Sequence, residues 1–309
     1  MSRVKAAEVL VDGLVWPESP RWHAGTLWFS DMFGIPIPRV YTMDTRGTLA
    51  VVAEFPHDDP AGLGFLPDGT LLVVSMHERR ILAFSAGGGQ RIHADLGSIP
   101  SSLYLSDMVV DASGRAYVDC LGIMGPDRGR QDSIVVVEVD GRFRIASKEF
   151  QGPNGLAMTV DRRRIVAAET VGHRLMVATV RQDGSLADRS QFADLGAARP
   201  DGICMDAEGA VWAATLDTGE FIRCLPGGDV AQRVSVGARW AIACVLGGAD
   251  RRTLYMTTAT VPRDLMRPDG GLRFRMLSRE EREALQRAGN ASKGFVQTIR
   301  VDVPGEGFP

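Results

Sequence analysis

The sequence predicts an all-β fold, a six-bladed β-propeller, from the repetition of one pattern along the chain. Six times in 309 residues, a small or polar residue leads into a short apolar run, a turn signal and a second apolar run. Successive copies start 40 to 48 residues apart, which is the length of a four-stranded blade. Several copies carry a later turn signal, such as Asp140 followed by Gly141, that is typical of a further hairpin. An open pair of β-sandwiches fits this even spacing less well.

The first residue of each copy has a predicted position in the propeller. The clearest copies run over 61–69 with 71–74 and over 201–209 with 211–214. In a propeller the first strand of each blade lines the central channel, and equivalent repeat positions lie at equivalent depth. The six first residues, which we call the anchors, are therefore expected to form a ring around the channel. The anchors are Glu18, Ala61, Ser106, Asn154, Asp201 and Ala241.

The two ends of the chain are predicted to meet in the sixth blade. Residues 8–12 are left over at the N-terminus and are about the size of one strand. We expect them to pair with the last blade, which includes 295–301, because this closes the ring and protects the sheet edges. A capping box at Ser278 and Glu281 predicts one short helix near 278–288, as a surface insertion in blade six. Residues 1–309 are expected to form a single domain.

Composition and charge argue against several classes of partner. The net charge is −3 and no long Lys/Arg cluster is present, so nucleic acid is not an expected partner. The N-terminus carries charges without an apolar leader, and no apolar run approaches the length of a membrane span, so no membrane partner is expected. The four cysteines show neither CxxC nor zinc-ligand spacing, which favours reduced thiols and a cytoplasmic protein. We expect a monomer or small homo-oligomer that binds a small-molecule substrate.

Four of the anchors carry side-chain oxygen atoms: Glu18, Ser106, Asn154 and Asp201. Two carboxylates and a carboxamide that meet in a channel are unfavourable unless a cation joins them. An all-oxygen ligand set favours Ca²⁺ or Mg²⁺ over Zn²⁺. The alternative is that Asn154 and Asp201, which both precede glycine, are turn residues that cap the local backbone.

Five segments in order resemble the senescence marker protein/gluconolactonase family, which includes regucalcin, bacterial sugar lactonases and, more distantly, diisopropyl-fluorophosphatase. The segments are Trp-Pro-Glu-Ser-Pro-Arg-Trp at 16–22, Ala-Gly-Leu-Gly-Phe-Leu-Pro-Asp-Gly at 61–69, Ser-Asp-Met-Val-Val-Asp at 106–111, Gly-Pro-Asn-Gly at 152–155 and Arg-Pro-Asp-Gly at 199–202. The resemblance extends over nearly the whole chain. It implies a six-bladed propeller with one divalent cation in the channel, Ca²⁺ first, with Mg²⁺, Zn²⁺ and Mn²⁺ as alternatives.

The resemblance also implies roles for individual residues. Glu18, Asn154 and Asp201 match the family's metal ligands, and Asp201 is the expected catalytic residue, which orients the attacking water, takes its proton or attacks directly. The family's Arg-x-Asn-Asp stretch here has Tyr104 in place of Arg and Ser106 in place of Asn. We expect these two residues to bind substrate, with Ser106 either ligating the cation or leaving room for water. The loss of the arginine favours a less polar ester or lactone over a sugar-acid lactone.

The predicted function is a divalent-metal-dependent hydrolase, a lactonase or esterase that opens a cyclic ester with an activated water. The alternatives are a non-catalytic or calcium-binding propeller and a phosphotriesterase-like metal hydrolase on the same scaffold. His77, His173 and Glu169 follow predicted second strands and are interpreted as solvated loop residues. Asp107 is either a supporting carboxylate or a local cap.

Overall fold

The structure, a computed structural model, describes residues 7–85, 87–99, 102–122, 132–266 and 273–307. Its strands form six antiparallel four-stranded sheets. The inner strands are β2 (Pro17–His23), β6 (Pro60–Phe65), β10 (Ser102–Val110), β14 (Pro153–Met158), β18 (Pro200–Met205) and β22 (Trp240–Gly247). The second strands are β3 (Thr26–Asp31), β7 (Leu71–Ser75), β11 (Ala116–Gly122), β15 (Arg164–Glu169), β19 (Val211–Thr215) and β23 (Thr253–Thr260).

The remaining strands complete each blade towards the outside. The third strands are β4 (Arg39–Met43), β8 (Arg80–Phe84), β12 (Ser133–Val137), β16 (Arg174–Val180), β20 (Glu220–Cys224) and β24 (Lys293–Arg300). The outer strands are β5 (Leu49–Glu54), β9 (Gln90–Asp95), β13 (Phe143–Ser147), β17 (Leu186–Asp194), β21 (Val230–Ser235) and, in the sixth blade, β1 (Glu8–Leu14). Consecutive inner strands contact one another, and β22 contacts β2, so the ring is closed. The six-bladed propeller predicted from the repeats is confirmed.

The N-terminal strand closes the sixth blade as predicted. This sheet has the order β1-β24-β23-β22, so its outer strand comes from the opposite end of the chain. Glu8 lies opposite Thr298 and Leu14 opposite Gly294, which places the pairing along most of β24. The strand extends two residues beyond the predicted end at Asp12. Pairing of the two chain ends satisfies backbone groups that would otherwise form an exposed edge.

The blades are held together by apolar side chains that alternate along each second strand. Within β7, Leu72 and Val74 join the cluster shared with blade three, whereas Leu71 and Val73 join the cluster shared with blade one. Both faces of the strand are therefore buried, because successive side chains point to opposite faces of a sheet. Burial of each such side chain contributes about 1.5–3 kcal/mol relative to exposure.

The predicted helix lies in the connection between β23 and β24. The helix α1 (Arg279–Arg287) starts after Ser278, and the reciprocal capping box with Glu281 is formed. Strands alternate in direction, so connections from second to third strands leave the sheets at the end of the channel where the inner strands begin. We call this the anchor end, and α1 lies there. Among the helices in the described part of the chain, none is both long and apolar enough to span a bilayer.

Candidate functional site in the central channel

All six anchors lie on inner strands and are buried, with exposed fractions from 0% to 8%. Asn154 and Asp201 are the second residues of β14 and β18, so the alternative that they are turn residues is wrong. The glycines that follow them serve close packing instead. A Cβ on Gly155 would lie 2.4 Å from the carbonyl oxygen of Asp201, and one on Gly202 would lie 2.2 Å from the Cβ of Ala243. The backbones of adjacent inner strands therefore meet directly beside these two anchors.

Every inner strand breaks its pairing register at or immediately after its anchor. In blade three, Ser106 and Asp107 together oppose the single residue Asp119 of β11. Their backbone N–H groups donate to the Asp119 carboxylate at 3.0 and 2.8 Å, which satisfies the donors that the bulge removes from the ladder. Burial raises the pKa of Asp119 well above its ordinary value, and the charges of Asp107 and Asp201 raise it further. Blades three and five are thus within electrostatic reach of each other.

Asp107 connects the inner strands of three blades close to their anchors. Its Oδ1 accepts a hydrogen bond from Ser19 Oγ of blade one at 2.9 Å. Its Oδ2 accepts a longer bond from the backbone N–H of Leu156 in blade four at 3.4 Å. Ser19 directly follows Glu18, Asp107 directly follows Ser106, and Leu156 lies two residues after Asn154. These contacts join the inner strands of blades one, three and four close to Glu18, Ser106 and Asn154, and the close approach at Gly155 joins blades four and five beside Asp201.

A buried ion pair lies next to the anchors, at what we call the ion-pair level: Ser19, Arg21 and Asp107. Arg21 Nη2 lies 2.7 Å from Asp107 Oδ1 and also donates to the carbonyl oxygen of Met108 at 2.6 Å. Ser19 has a left-handed backbone with φ of 48°, and its hydroxyl accepts from the N–H of Leu63 at 2.8 Å. Contacts from two other blades hold Ser19 in this strained conformation, so the residues of the ion-pair level have one fixed arrangement.

Glu18 accepts hydrogen bonds from two neutral donors. Trp16 Nε1 donates to Oε1 at 3.2 Å and the Ser19 N–H donates to Oε2 at 3.1 Å. A carboxylate has about four acceptor positions, and these two bonds involve one on each oxygen. Within the described ranges, no group of three or more His, Cys, Asp or Glu side chains could hold a metal ion. The predicted set of metal ligands contains two carboxylates, Glu18 and Asp201, and the carboxamide of Asn154 would supply the third ligand. Buried carboxylate and amide oxygens are a donor set that fits a hard cation.

Tyr104 lies at the rim of the anchor end, two residues before Ser106. Its ring is half-buried and lies 6.4 Å, between centroids, from the ring of His77 in blade two. Pairing with β11 is regular at Tyr104 and Leu105 and shifts at Ser106. Ser106 therefore belongs to the bulge, whereas Tyr104 lies in the regular pairing just before it.

Several residues of this region were missed or misjudged from sequence. Glu169 is fully buried at the end of β15 and pairs with Arg174 and Arg189 at 2.6 Å each, so its interpretation as a solvated loop residue is wrong. Arg21 and Asp119 were not singled out. The signal for Arg21 was a cation three residues after an acidic anchor, and the signal for Asp119 was an acid inside an apolar second strand.

The opposite end of the channel is covered by the C-terminal segment. Glu306 Oε2 pairs with Arg162 Nη2 of blade four at 2.8 Å. A cavity of only about 40 Å³ remains there, beside Gly305 and the thiols of Cys204 and Cys244. These two sulfur atoms lie 3.8 Å apart, and none of the four cysteines forms a disulfide. The C-terminal segment therefore packs against blades four and five at this end, where Gly305 also bridges to Asp206.

A closed ring of six blades with buried oxygen-bearing side chains on its inner strands defines a six-bladed propeller with a candidate site in its channel. The chain belongs to the SMP-30/Gluconolactonase/LRE-like family, whose model matches residues 16–260. The helical insertion between β23 and β24 begins directly after this matched region.

Relatives with known names span nearly the full length of the chain. A 6-deoxy-6-sulfogluconolactonase of Pseudomonas putida is 26% identical over 93% of this chain and 92% of its own. Regucalcin of Danio rerio is 25% identical over 89% of this chain and 95% of its own. Among solved structures, a calcium-binding regucalcin of Agrobacterium tumefaciens superposes with a TM-score of 0.75 at 20% identity, over 98% of this chain and 96% of its own. At this identity the structural similarity indicates the fold alone.

Proposed function

We propose that this protein is a metal-dependent lactonase that hydrolyses a cyclic ester at the anchor end of the channel. The observation that supports the proposal is that Glu18, Asn154 and Asp201 are all buried and are each the second residue of an inner strand. The family membership and the sulfogluconolactonase relative support lactone opening as the reaction. The regucalcin relatives support a divalent cation, with Ca²⁺ first.

In the proposed site, Glu18, Asn154 and Asp201 hold the cation. Such an ion, when bound, supplies positive charge that polarises a carbonyl group and makes a nearby water more acidic. Two carboxylates already balance the formal charge of a divalent cation, so a further uncompensated anion nearby would weaken its pull on a carbonyl oxygen. The Arg21 guanidinium neutralises Asp107 at the adjacent level.

Asp201 is proposed to act as the general base. A water oxygen attacks the carbonyl carbon of the lactone, and the proton of that water passes to the Asp201 carboxylate. The bond between the carbonyl carbon and the ring oxygen then breaks, and the proton is returned to the departing alkoxide. The product is an open-chain hydroxy acid. Because Asp201 is almost fully buried, with 1% exposure, its position is fixed before substrate arrives.

Ser106 and Tyr104 are proposed to contact substrate. A hydroxyl at position 106 is shorter than an amide side chain and leaves room for a water or for the substrate itself. The Tyr104 phenol donates one hydrogen bond but carries no positive charge, which favours neutral and less polar lactones. Tyr104 precedes the bulge that ends at Met108, and Ser106 lies within it. Their positions depend on Asp119, because its carboxylate holds the bulge.

The experiment is a panel of γ- and δ-lactones, aryl esters and phosphotriesters, each assayed with Ca²⁺, Mg²⁺, Mn²⁺ or Zn²⁺ and with EDTA. We expect lactone hydrolysis that EDTA abolishes and that Ca²⁺ restores. Phosphotriester turnover without lactone turnover would instead indicate the alternative hydrolase. Calcium binding by calorimetry without hydrolysis of any substrate would indicate a non-catalytic propeller.

A further inference from the structure

A second polar cluster lies at the anchor end, outside the ring of anchors. The carboxylate of Asp59, in the connection between β5 and β6, is 4% exposed. Arg282 of α1 binds it through two parallel contacts, Nη1 to Oδ1 at 2.6 Å and Nη2 to Oδ2 at 2.8 Å. His77, in the connection between β7 and β8, places its Nε2 atom 3.2 Å from Asp59 Oδ2. The insertion in blade six and the rim of blade two are thus joined through one buried carboxylate.

The contacts of Asp59 fix the hydrogen-bonding role of His77. Burial opposes ionisation of Asp59, but the hydrogen bonds from His77 and Arg282 outweigh it and lower the pKa of Asp59. An ionised carboxylate only accepts hydrogen bonds, so the Nε2 atom of His77 carries the proton that is donated to it. In the neutral imidazole the other nitrogen, Nδ1, is then a hydrogen-bond acceptor. The imidazole ring is 42% exposed, so His77 remains accessible while Asp59 orients it.

A cavity of about 200 Å³ lies directly beside this cluster. His77, Asp59 and Arg282 form part of its lining, and Ile35, Pro36 and Phe55 of blade one form an apolar wall. The ring of His77 also faces Tyr104, whose centroid is 6.4 Å away, and Tyr104 is two residues from the anchor Ser106. His77 therefore lies between the cavity and the rim of the channel.

We propose that His77, oriented by Asp59, is a substrate-binding residue whose Nδ1 atom accepts a hydrogen bond from a hydroxyl group of the substrate. The cavity is then the subsite for the hydroxyl-bearing part of the lactone that extends beyond the channel. This inference rests on the proposed lactonase function and specifies its substrate class. Tyr104 by itself favours a less polar substrate, and His77 supplies a polar contact from the neighbouring blade.

His77→Gln tests the assignment selectively. The glutamine amide N–H can replace Nε2 as the donor to Asp59, but no acceptor remains at the position of Nδ1. We measure the binding of two open-chain hydroxy acids to the calcium-loaded protein by calorimetry: gluconate, which carries hydroxyls along its chain, and 5-hydroxyvalerate, which carries one. The variant should bind gluconate about tenfold more weakly, the cost of one lost hydrogen bond, with the affinity for 5-hydroxyvalerate unchanged.

His173→Gln is the matched control. His173 occupies the equivalent connection in blade four, but its Nδ1 atom contacts the backbone carbonyl of Ala197 at 3.0 Å. The His173→Gln variant should bind gluconate and 5-hydroxyvalerate with the wild-type affinities. Equal gluconate affinity in wild type and His77→Gln, or no gluconate binding by wild type, would overturn the assignment. Lactone turnover is measured separately. A protein that binds gluconate but opens no lactone refutes the proposed function, and the ratio of the gluconate affinities of wild type and His77→Gln still tests the role of His77.

Discussion

Two levels of the channel contain buried carboxylates, and they differ in what surrounds them. At the ion-pair level, Asp107 lies 2.7 Å from the guanidinium of Arg21, so the protein itself supplies the opposite charge. At the anchor level, Glu18 accepts hydrogen bonds from the neutral donors Trp16 Nε1 and Ser19 N–H. The residues are only one to three positions apart on the same strands.

The difference indicates that the two levels serve different purposes. A buried carboxylate with an arginine partner is complete within the fold, and removing either partner destabilises the protein. At the anchor level, the proposed function assigns the balancing charge to a cation from solution. We therefore expect changes at the anchor level to affect chemistry more than folding, and changes at the ion-pair level to do the reverse.

Asp201→Ala should give the largest effect on chemistry. Loss of the proposed general base should lower kcat/KM for lactones by about 10³-fold. Circular dichroism in EDTA should stay close to wild type, because β18 keeps its backbone pairing with β19 when one side chain is shortened. Lactone turnover at the wild-type rate would remove Asp201 from the site.

Asn154→Ala is the matched variant at the same level. It removes a neutral ligand, so it should weaken cation binding while saturating Ca²⁺ restores much of the activity. A loss of activity that no Ca²⁺ concentration relieves would assign Asn154 a role other than metal binding.

Arg21→Met should give the largest effect on stability. It leaves the Asp107 charge buried without its arginine, which typically costs about 3–5 kcal/mol of unfolding free energy. Chemical denaturation monitored by tryptophan fluorescence measures this loss, and activity per folded molecule should fall far less than in Asp201→Ala. The double variant Arg21→Met with Asp107→Asn should recover part of the stability. If the single variant is as stable as wild type, the ion pair does not support the ring.

Asp31 is a third buried carboxylate, and it also accepts hydrogen bonds from neutral donors. Its Oδ1 atom accepts from the N–H groups of Val15 and Trp16 at 3.0 and 2.7 Å. Burial raises its pKa from 3.8 to about 6. Between about pH 4 and pH 6, Asp31 is therefore protonated in the folded state but ionised in the unfolded state. The free energy of unfolding falls as the pH rises through this range.

Asp31→Asn should remove this part of the pH dependence and keep an acceptor for both N–H groups. Between pH 4 and pH 6.5, the unfolding free energy of wild type should fall by roughly 1–3 kcal/mol relative to the variant. Urea denaturation of both proteins across this range measures the difference. If the difference in unfolding free energy between the two proteins does not change with pH, Asp31 is ionised in the folded state over the whole range.

Tyr104→Arg combined with Ser106→Asn should give the smallest effect, a shift in substrate preference. A guanidinium donates several hydrogen bonds that a phenol does not, and an asparagine supplies a longer oxygen ligand. We expect the ratio of kcat/KM for gluconolactone to that for an unsubstituted lactone to rise by about tenfold. The bulge at Ser106 makes this outcome depend on side-chain direction, and an unchanged ratio would show that these positions do not select substrate.

Repetition made the fold and the ring of anchors predictable from sequence. A blade repeat places equivalent residues at equivalent depth, so Glu18 and Asn154 could be assigned to one level without coordinates. Glu169 was misjudged because it directly follows the apolar run 165–168, where a loop could begin as readily as the strand could continue. Only the packing of Arg174 and Arg189 around it shows that it is buried.

The sequence by itself determined the propeller, its closure by the N-terminal strand and the short helix, because these follow from local periodicity, turn signals and capping chemistry. Only the tertiary structure decided which polar residues meet. Arg21 and Asp107 lie 86 positions apart in sequence, and Arg282 and Asp59 lie 223 apart. Such contacts depend on how the blades are arranged around the axis and on the bulge after each anchor. No local pattern encodes either, because a shift of one residue in register turns a side chain to the other face of its strand.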